Sequence, residues 1–155
     1  MKPLHRLALY IGRRSWLPKI GPRLVFVDTA LQRWTGGRLA LSRLGGMTSV
    51  LLTTTGRRTG LPRDTPLIAI PEGGSLLLVG SNFGKPGHPA WSTNLIAHPE
   101  ATIRTRGHTF PVTATLLTGP ERAEAWHTLL KVWPAYDDYT TRSGRELRVF
   151  RVTLR

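Results

Sequence analysis

Three arginines, Arg57, Arg58 and Arg63, crowd the stretch TTTGRRTGLPRDTP. Guanidinium groups present planar forks of N–H donors that match phosphate and carboxylate oxygens. Gly56 and Gly60 let the backbone turn sharply and approach a ligand closely. Thr59 and the turn N–H groups add neutral donors. The stretch can serve as an anion cradle, and a solvated basic hairpin fits the local pattern equally well. It matches neither the phosphate loop G-x-x-x-x-G-K-[ST] nor the dinucleotide fingerprint G-x-G-x-x-G.

A second stretch, SNFGKPGHPAWSTN, puts Lys85 and His88 in a Gly/Pro-rich loop that runs into a helix start. Backbone N–H groups at such a start favour anions. Trp91 and Asn94 lie three apart and share a helix face, although a lone tryptophan is usually core. A third, VWPAYDDY, spaces Trp133, Tyr136 and Tyr139 at intervals of three, giving one aromatic face if helical. Such a face suits a flat ring system and suits plain packing too. Tyr136 or Tyr139 can donate a proton to a reduced carbonyl oxygen.

Other chemistries have little support. The chain holds Cys 0, which excludes thiolate catalysis, disulfides and Cys-ligated metal. Its histidines, His5, His88, His98, His108 and His127, have no metal spacing, so no metal is expected. Asp137 and Asp138 are adjacent and give no special support to a glycosidase pair. No G-x-S-x-G is present. A nucleic-acid module would need aromatic and basic residues alternating on one sheet. ATIRTRGHTF offers some of this without a recognisable signature, and no nucleic-acid partner is expected.

These residues need elements to hold them. A chain of 155 residues with 40% apolar content supports a single folded core. Residues 1–47 read as a basic helical segment, packed on the domain or facing a membrane. Lys2, Arg6, Arg13, Arg14, Lys19, Arg23, Arg33, Arg38 and Arg43 stand there against Asp28 alone. Leu4, Leu7 and Ile11, then Leu24, Val27 and Leu31, are its expected stripes, with Pro18 and Pro22 as interruptions. GRRSWLPK resembles a twin-arginine signal, but Lys19, Arg23 and Asp28 break the apolar stretch such a signal requires. No apolar run reaches the roughly 20 residues of a membrane helix. The net charge of +13 implies an anionic partner.

Residues 48–155 switch to a period of two. Strands are expected at TSVLLTTT, DTPLIAI, LLLVGS, ATIRTR, TFPVTATLLT and ELRVFRVTLR. Pro66 marks an edge or bulge at the start of the second strand. AWSTNLIAHP reads as a short helix with Trp91, Leu95 and Ile96 on one face, and GPERAEAWHTLLKVW as a longer one. PAYDDYTTRSGR reads as a short helix or loop. Six short sequential strands with two helical insertions give an α+β fold, mainly antiparallel β: a small barrel with flanking helices.

Together, LLTTTGRRTGLPRDTPL, the Gly73–Gly74 pair, GKPGHPAWSTNLIAHPE and YDDY resemble the deazaflavin-dependent nitroreductase and quinone reductase family of actinobacteria, over roughly Val50 to Arg155. The resemblance implies a split β-barrel, akin to FMN-binding barrels, and binding of the reduced deazaflavin coenzyme F420, whose phosphodiester and oligoglutamate tail make it polyanionic. It implies coenzyme contacts at Arg57, Arg58, Thr59, Arg63, Thr65, Pro66, Leu67 and Ile68. Further contacts fall at Val79, Gly80, Ser81, Asn82 and Lys85, and at Ala90, Trp91, Ser92, Thr93 and Asn94. It places Tyr136 in the substrate pocket beside Trp133, with Tyr139 one turn on, and makes Tyr136 and Tyr139 the catalytic candidates. Ile68 stands where nitroreductases of the family carry tyrosine, and Asn82 where a lysine is expected, with Lys85 close by. The implied reaction is hydride transfer to a quinone-like or other electron-poor acceptor, nitro compounds included. A cytoplasmic location is expected, and the basic helical N-terminus, which lies outside the resemblance, could dock the enzyme on the inner, anionic face of the membrane. FMN is the alternative cofactor, and a non-catalytic cofactor-binding barrel the alternative role, with a basic nucleic-acid-binding module a distant third. The oligomeric state has no signature in the sequence.

Overall fold

The computed structural model describes residues 3–44 and 46–155; Lys2, counted above among the N-terminal cations, lies outside them. Six strands, β1 (Ser49–Thr55), β2 (Pro62–Glu72), β3 (Ser75–Val79), β4 (Glu100–Thr105), β5 (His108–Leu116) and β6 (Val149–Leu154), close into a barrel. Its order is β1-β2-β3-β6-β5-β4, with antiparallel pairing throughout. The expected barrel with flanking helices is therefore what forms. Alternation sends Val50, Leu52, Leu78, Ile103, Val112, Phe150 and Val152 inward, where they meet Trp91 and Leu95 from a helix that plugs the barrel.

That plug is α4 (Ala90–Ala97). It buries Trp91 and Leu95 as its spacing predicts, but Ile96 is exposed, and the polar Ser92 and Asn94 are buried instead. Before the barrel come α1 (Pro3–Gly12), α2 (Leu17–Trp34) and the short α3 (Leu41–Leu44). Between β5 and β6 lie α5 (Gly119–Val132) and α6 (Ala135–Ser143). Glu121 in the first turn of α5 and Lys131 in its last complement the helix dipole. Gly144, at φ 68, ends α6 in the left-handed region. A second core lies outside the barrel, where Ile70, Leu77, Val79 and Val149 meet Leu129, Trp133, Tyr136 and Tyr139, with Leu9, Ile11 and Leu17 of α1 and α2 joining.

Two N-terminal expectations are corrected. Pro18 and Pro22 do not break the segment: Pro18 sits in the first turn of α2, where its missing N–H costs nothing, and Pro22 lies inside the same helix. The stripes Leu4/Leu7 and Leu24/Val27 are exposed. The face that α2 buries is Leu17, Gly21, Asp28 and Gln32. Polar residues can take that face because they find partners. Asp28 accepts from Gln32 Nε2 at 3.0 Å and from the Leu41 N–H at 2.8 Å, and Gln32 also donates to Ser49 Oγ at 3.3 Å.

Pro66 sits within β2 rather than at its start, paired with Leu51 of β1. On the other side β2 meets β3 only from Ala69 onward. Pro66 therefore needs no N–H for a ladder there, and the stretch from Pro62 to Ile68 is free of β3. The candidate site lies at this opening.

Candidate active site

The chemistry-bearing stretches converge where β2 leaves β3. The turn between β1 and β2 is held by the Gly56 N–H donating to the Leu61 carbonyl at 2.8 Å and the Gly60 N–H to Gly56 at 2.7 Å. A Cβ on Gly56 would lie 2.8 Å from Thr59 Oγ1 and 3.1 Å from the Leu61 oxygen, so the turn closes only around glycine. Arg57 and Arg58 lie in this turn and Arg63 on β2 itself. Among the described residues none of the three has a carboxylate partner.

Asn94 fixes the turn against α4. Its Oδ1 accepts from the Arg57 backbone N–H at 3.2 Å and from Arg57 Nη1 at 3.3 Å, and its Nδ2 donates to Thr54 Oγ1 at 3.2 Å. Around this pin lies a polar hollow of about 310 Å³, lined by Arg57, Arg58, Thr59, Arg63, Thr65, Ala90, Trp91 and Asn94.

A larger cavity of about 380 Å³ adjoins it, and Thr65 and Trp91 line both. No charged side chain lines this second space. Pro66, Leu67 and Ile68 of β2 form one wall, Val79, Ser81 and Asn82 the next, and Trp133, Tyr136 and Tyr139 a third. Tyr136 stands near Trp126, with centroids 6.0 Å apart, and edge-on to Tyr139 at 6.3 Å.

The two tyrosines differ. Tyr139 donates its hydroxyl to the Gly12 carbonyl at 2.5 Å, and burial pushes its phenol up to about 12. Tyr136 is 4% exposed, and its hydroxyl makes no hydrogen bond to the described residues. Burial, then the neighbouring Tyr139, push its phenol far above the ordinary value, so it stays protonated.

Four expected contact residues line neither space. Gly80 is buried and receives Arg145 on its carbonyl, as does Lys85. Ser92 and Thr93 accept from Arg148 at 3.1 and 3.0 Å. Sequence reasoning missed the roof: Leu17, Pro22 and Val25 of α2, with Phe83, close the neutral cavity. It missed Arg145 and Arg148 too, which carry no local motif. No group of His, Asp and Glu suited to a metal occurs among the described residues.

The family model described as F420H(2)-dependent quinone reductase matches residues 25–154. An F420H(2)-dependent quinone reductase of Mycobacterium tuberculosis (strain ATCC 25618 / H37Rv) is 33% identical over 144 residues, covering 90% of this chain and 97% of the relative. A solved F420-H2 dependent reductase is 36% identical, with TM-score 0.61 over 67% of this chain and 92% of its own. Another solved structure, described as a domain-swapped dimer, is 32% identical with TM-score 0.65, over 82% of this chain and 96% of its own. A haem storage protein of Vibrio cholerae, 12% identical with TM-score 0.52 over 69% and 81%, shares the fold alone.

Proposed function

The chain belongs to the F420H(2)-dependent quinone reductase family, and from that membership we infer that it is an oxidoreductase passing hydride from reduced coenzyme F420 to a quinone. What supports the fit in this chain is the joint at Thr65 and Trp91, where an arginine-lined hollow opens into an uncharged cavity. The donor set matches a molecule with one anionic end and one flat, neutral end.

In this reading Arg57, Arg58 and Arg63 hold the phosphodiester and the acidic tail, their charges left free by the lack of carboxylate partners. Thr65 and Trp91, which line both spaces, would hold the coenzyme where they meet, and Ile68, Val79 and Ser81 would face its ring. Reduced deazaflavin, when bound, supplies the hydride. Trp133 and Tyr136 flank the acceptor, and the apolar walls keep water out. Tyr136 donates a hydrogen bond to the acceptor oxygen on which negative charge grows. Tyr139, spent on Gly12, holds the wall in place.

The test is a titration of purified protein with reduced F420 and a soluble quinone, followed by coenzyme absorbance. Saturable binding and quinone-dependent oxidation are expected; the absence of both overturns the reading. FMN in parallel tests the other cofactor, with binding at least tenfold weaker than F420 as the expected result, about 1.4 kcal/mol. Nitroaromatics enter the same assay as a second acceptor class.

The finer reading concerns location. No helix among the described residues is long and apolar enough to cross a membrane. Yet the outer faces of α1 and α2 expose Leu4, Leu7, Tyr10, Leu24, Phe26 and Trp34 among Arg6, Arg23 and Arg33. We propose that this face rests on an anionic lipid surface, beside the roof of the cavity.

A further inference from the structure

The loop from Gly80 to His88 is organised by one side chain that lines neither space of the candidate site. Arg145 follows the left-handed Gly144 that ends α6. Its Nη1 donates to the Gly80 carbonyl at 3.0 Å, its Nη2 to Ser81 at 3.1 Å, and its Nε and Nη2 to Lys85, each at 3.3 Å. Nη1 also lies 3.2 Å from His88 Nδ1. A guanidinium only donates, so Nδ1 accepts and the His88 proton sits on Nε2. Among the described residues Arg145 has no carboxylate partner. Its charge is met by backbone carbonyls and one imidazole.

The loop needs such a hub. Asn82, Phe83 and Gly84 follow one another in the left-handed region, at φ 47, 55 and 76. Two of the three carry side chains, and such residues persist only where their surroundings over-determine them. The local bonds are few: Gly84 N–H to Ser81 at 2.9 Å, Lys85 N–H to Asn82 at 3.0 Å, and Asn82 Nδ2 to Gly87 at 2.9 Å. Among the described residues the Asn82 and Phe83 N–H groups have no backbone acceptor. Ser81, Asn82 and Phe83 line the neutral cavity, and the Phe83 ring lies 2.8 Å from where a Cβ on Gly21 of α2 would stand. The turn thus supports one wall of the ring cavity and part of its roof, while Arg145 grips its back.

We propose that Arg145 is a positioning residue for the coenzyme: it holds the Gly80–His88 loop in the left-handed turn that presents Ser81, Asn82 and Phe83 to the ring. The inference rests on the coenzyme reading above. Arg145 would touch neither coenzyme nor acceptor. Its loss would act through the wall, on coenzyme affinity, and would leave the acceptor's own contacts at Trp133 and Tyr136 in place.

Arg145→Gln and Arg145→Lys test this, with Arg122→Gln as a control. Arg122 also serves a backbone carbonyl, that of Leu147 at 2.8 Å, and lines neither space, but unlike Arg145 it makes no bond to the Gly80–His88 loop. Without ligand, amide hydrogen exchange over residues 81–88 is expected to quicken in Arg145→Gln and stay unchanged in Arg122→Gln. His88, held low by burial and by Arg148 and Arg145, is expected to titrate closer to the ordinary histidine value in the same variant, read by NMR. With ligand, the coenzyme Kd of Arg145→Gln should weaken about ten- to a hundredfold. The quinone KM and kcat at saturating coenzyme should change less than about threefold. Arg145→Lys should recover part of the affinity. Unchanged exchange over the loop overturns the positioning claim whether or not coenzyme binds. An affinity loss no greater than that of Arg122→Gln overturns its link to the coenzyme. A wild-type protein that binds no F420 overturns the coenzyme reading instead, and the exchange result still decides what Arg145 does to the loop.

Discussion

Tyr136 is one of the few polar side chains lining a largely apolar cavity, and its environment decides what its hydroxyl can do. Burial keeps the phenol protonated, and no described group competes for its proton. A group that does not ionise contributes by donating, so the expected kinetics follow. Tyr136→Phe should lower kcat about ten- to a hundredfold and leave the coenzyme Kd unchanged. Its thermal midpoint should not fall, because no protein hydrogen bond is lost. Steady-state kinetics with a melting curve checks both, and wild-type turnover in the variant removes the role. The wild-type rate should also show no alkaline loss from Tyr136 up to about pH 10, since the folded phenol titrates above its ordinary value. Asn94 differs in kind, since it shapes the cradle through Arg57. Asn94→Leu leaves the Arg57 N–H and Thr54 without their partner, so a stability loss of about 1–3 kcal/mol is expected together with weaker coenzyme binding. A melt and a coenzyme titration measure the two effects.

Among the elements, the strands and the cradle turn were legible in the sequence and the roof was not. The period-two runs marked all six strands because one face of each points into the barrel. The arginine turn of β1–β2 lines one space and the aromatics of VWPAYDDY line the adjoining one; local spacing grouped each set, and only the family resemblance joined the two. Helix α2 failed because its buried face runs Leu17, Gly21, Asp28, Gln32, and only one of these looks apolar. A search for apolar stripes selects Leu24 and Val27, which face outward. Arg145 and Arg148 were invisible because their partners are distant in sequence. The docking of α1 offers a direct test. A Cβ on Gly12 would lie 2.1 Å from Trp133 Cζ2, while the Gly12 carbonyl receives Tyr139. Gly12→Ala should cost about 1–3 kcal/mol and raise the quinone KM, because the cavity wall shifts with α1. Helix α2 is tied to β2 by Arg33 Nε donating to Asp64 at 2.7 Å, with Thr53 adding a bond at 2.6 Å. Burial pushes the Asp64 carboxyl up, but Thr53 and Arg33 together outweigh it and leave it below the ordinary value. A depressed carboxyl stabilises the fold above its unfolded pKa, near 4, and loses that contribution as pH falls toward the folded value. Asp64→Asn should flatten this acid limb in melts between about pH 5 and 2.

At the scale of the whole molecule, two shares of the net charge of +13 bear on the proposed function. One share belongs to the cradle, where Arg57, Arg58 and Arg63 lack carboxylates. Another lies on α1 and α2, beside apolar side chains that no described residue covers: Phe26 is 76% and Trp34 86% exposed. Exposed aromatics ringed by arginine suit an anionic lipid interface, where burial and charge attraction add. The same helix lends Leu17, Pro22 and Val25 to the cavity roof, so a quinone dissolved in lipid would meet the cavity from this side. Binding to vesicles should therefore need anionic lipid and should weaken as salt rises, because the electrostatic share is screened within about 10 Å at 0.1 M. Phe26→Asp with Trp34→Asp should abolish co-sedimentation with anionic vesicles. Neither residue lines a cavity, so turnover of a water-soluble quinone should persist in the double variant, while turnover of a vesicle-embedded, long-tailed quinone falls. Equal binding to neutral and anionic vesicles, or a double variant that loses both activities together, would place the acceptor's entry elsewhere.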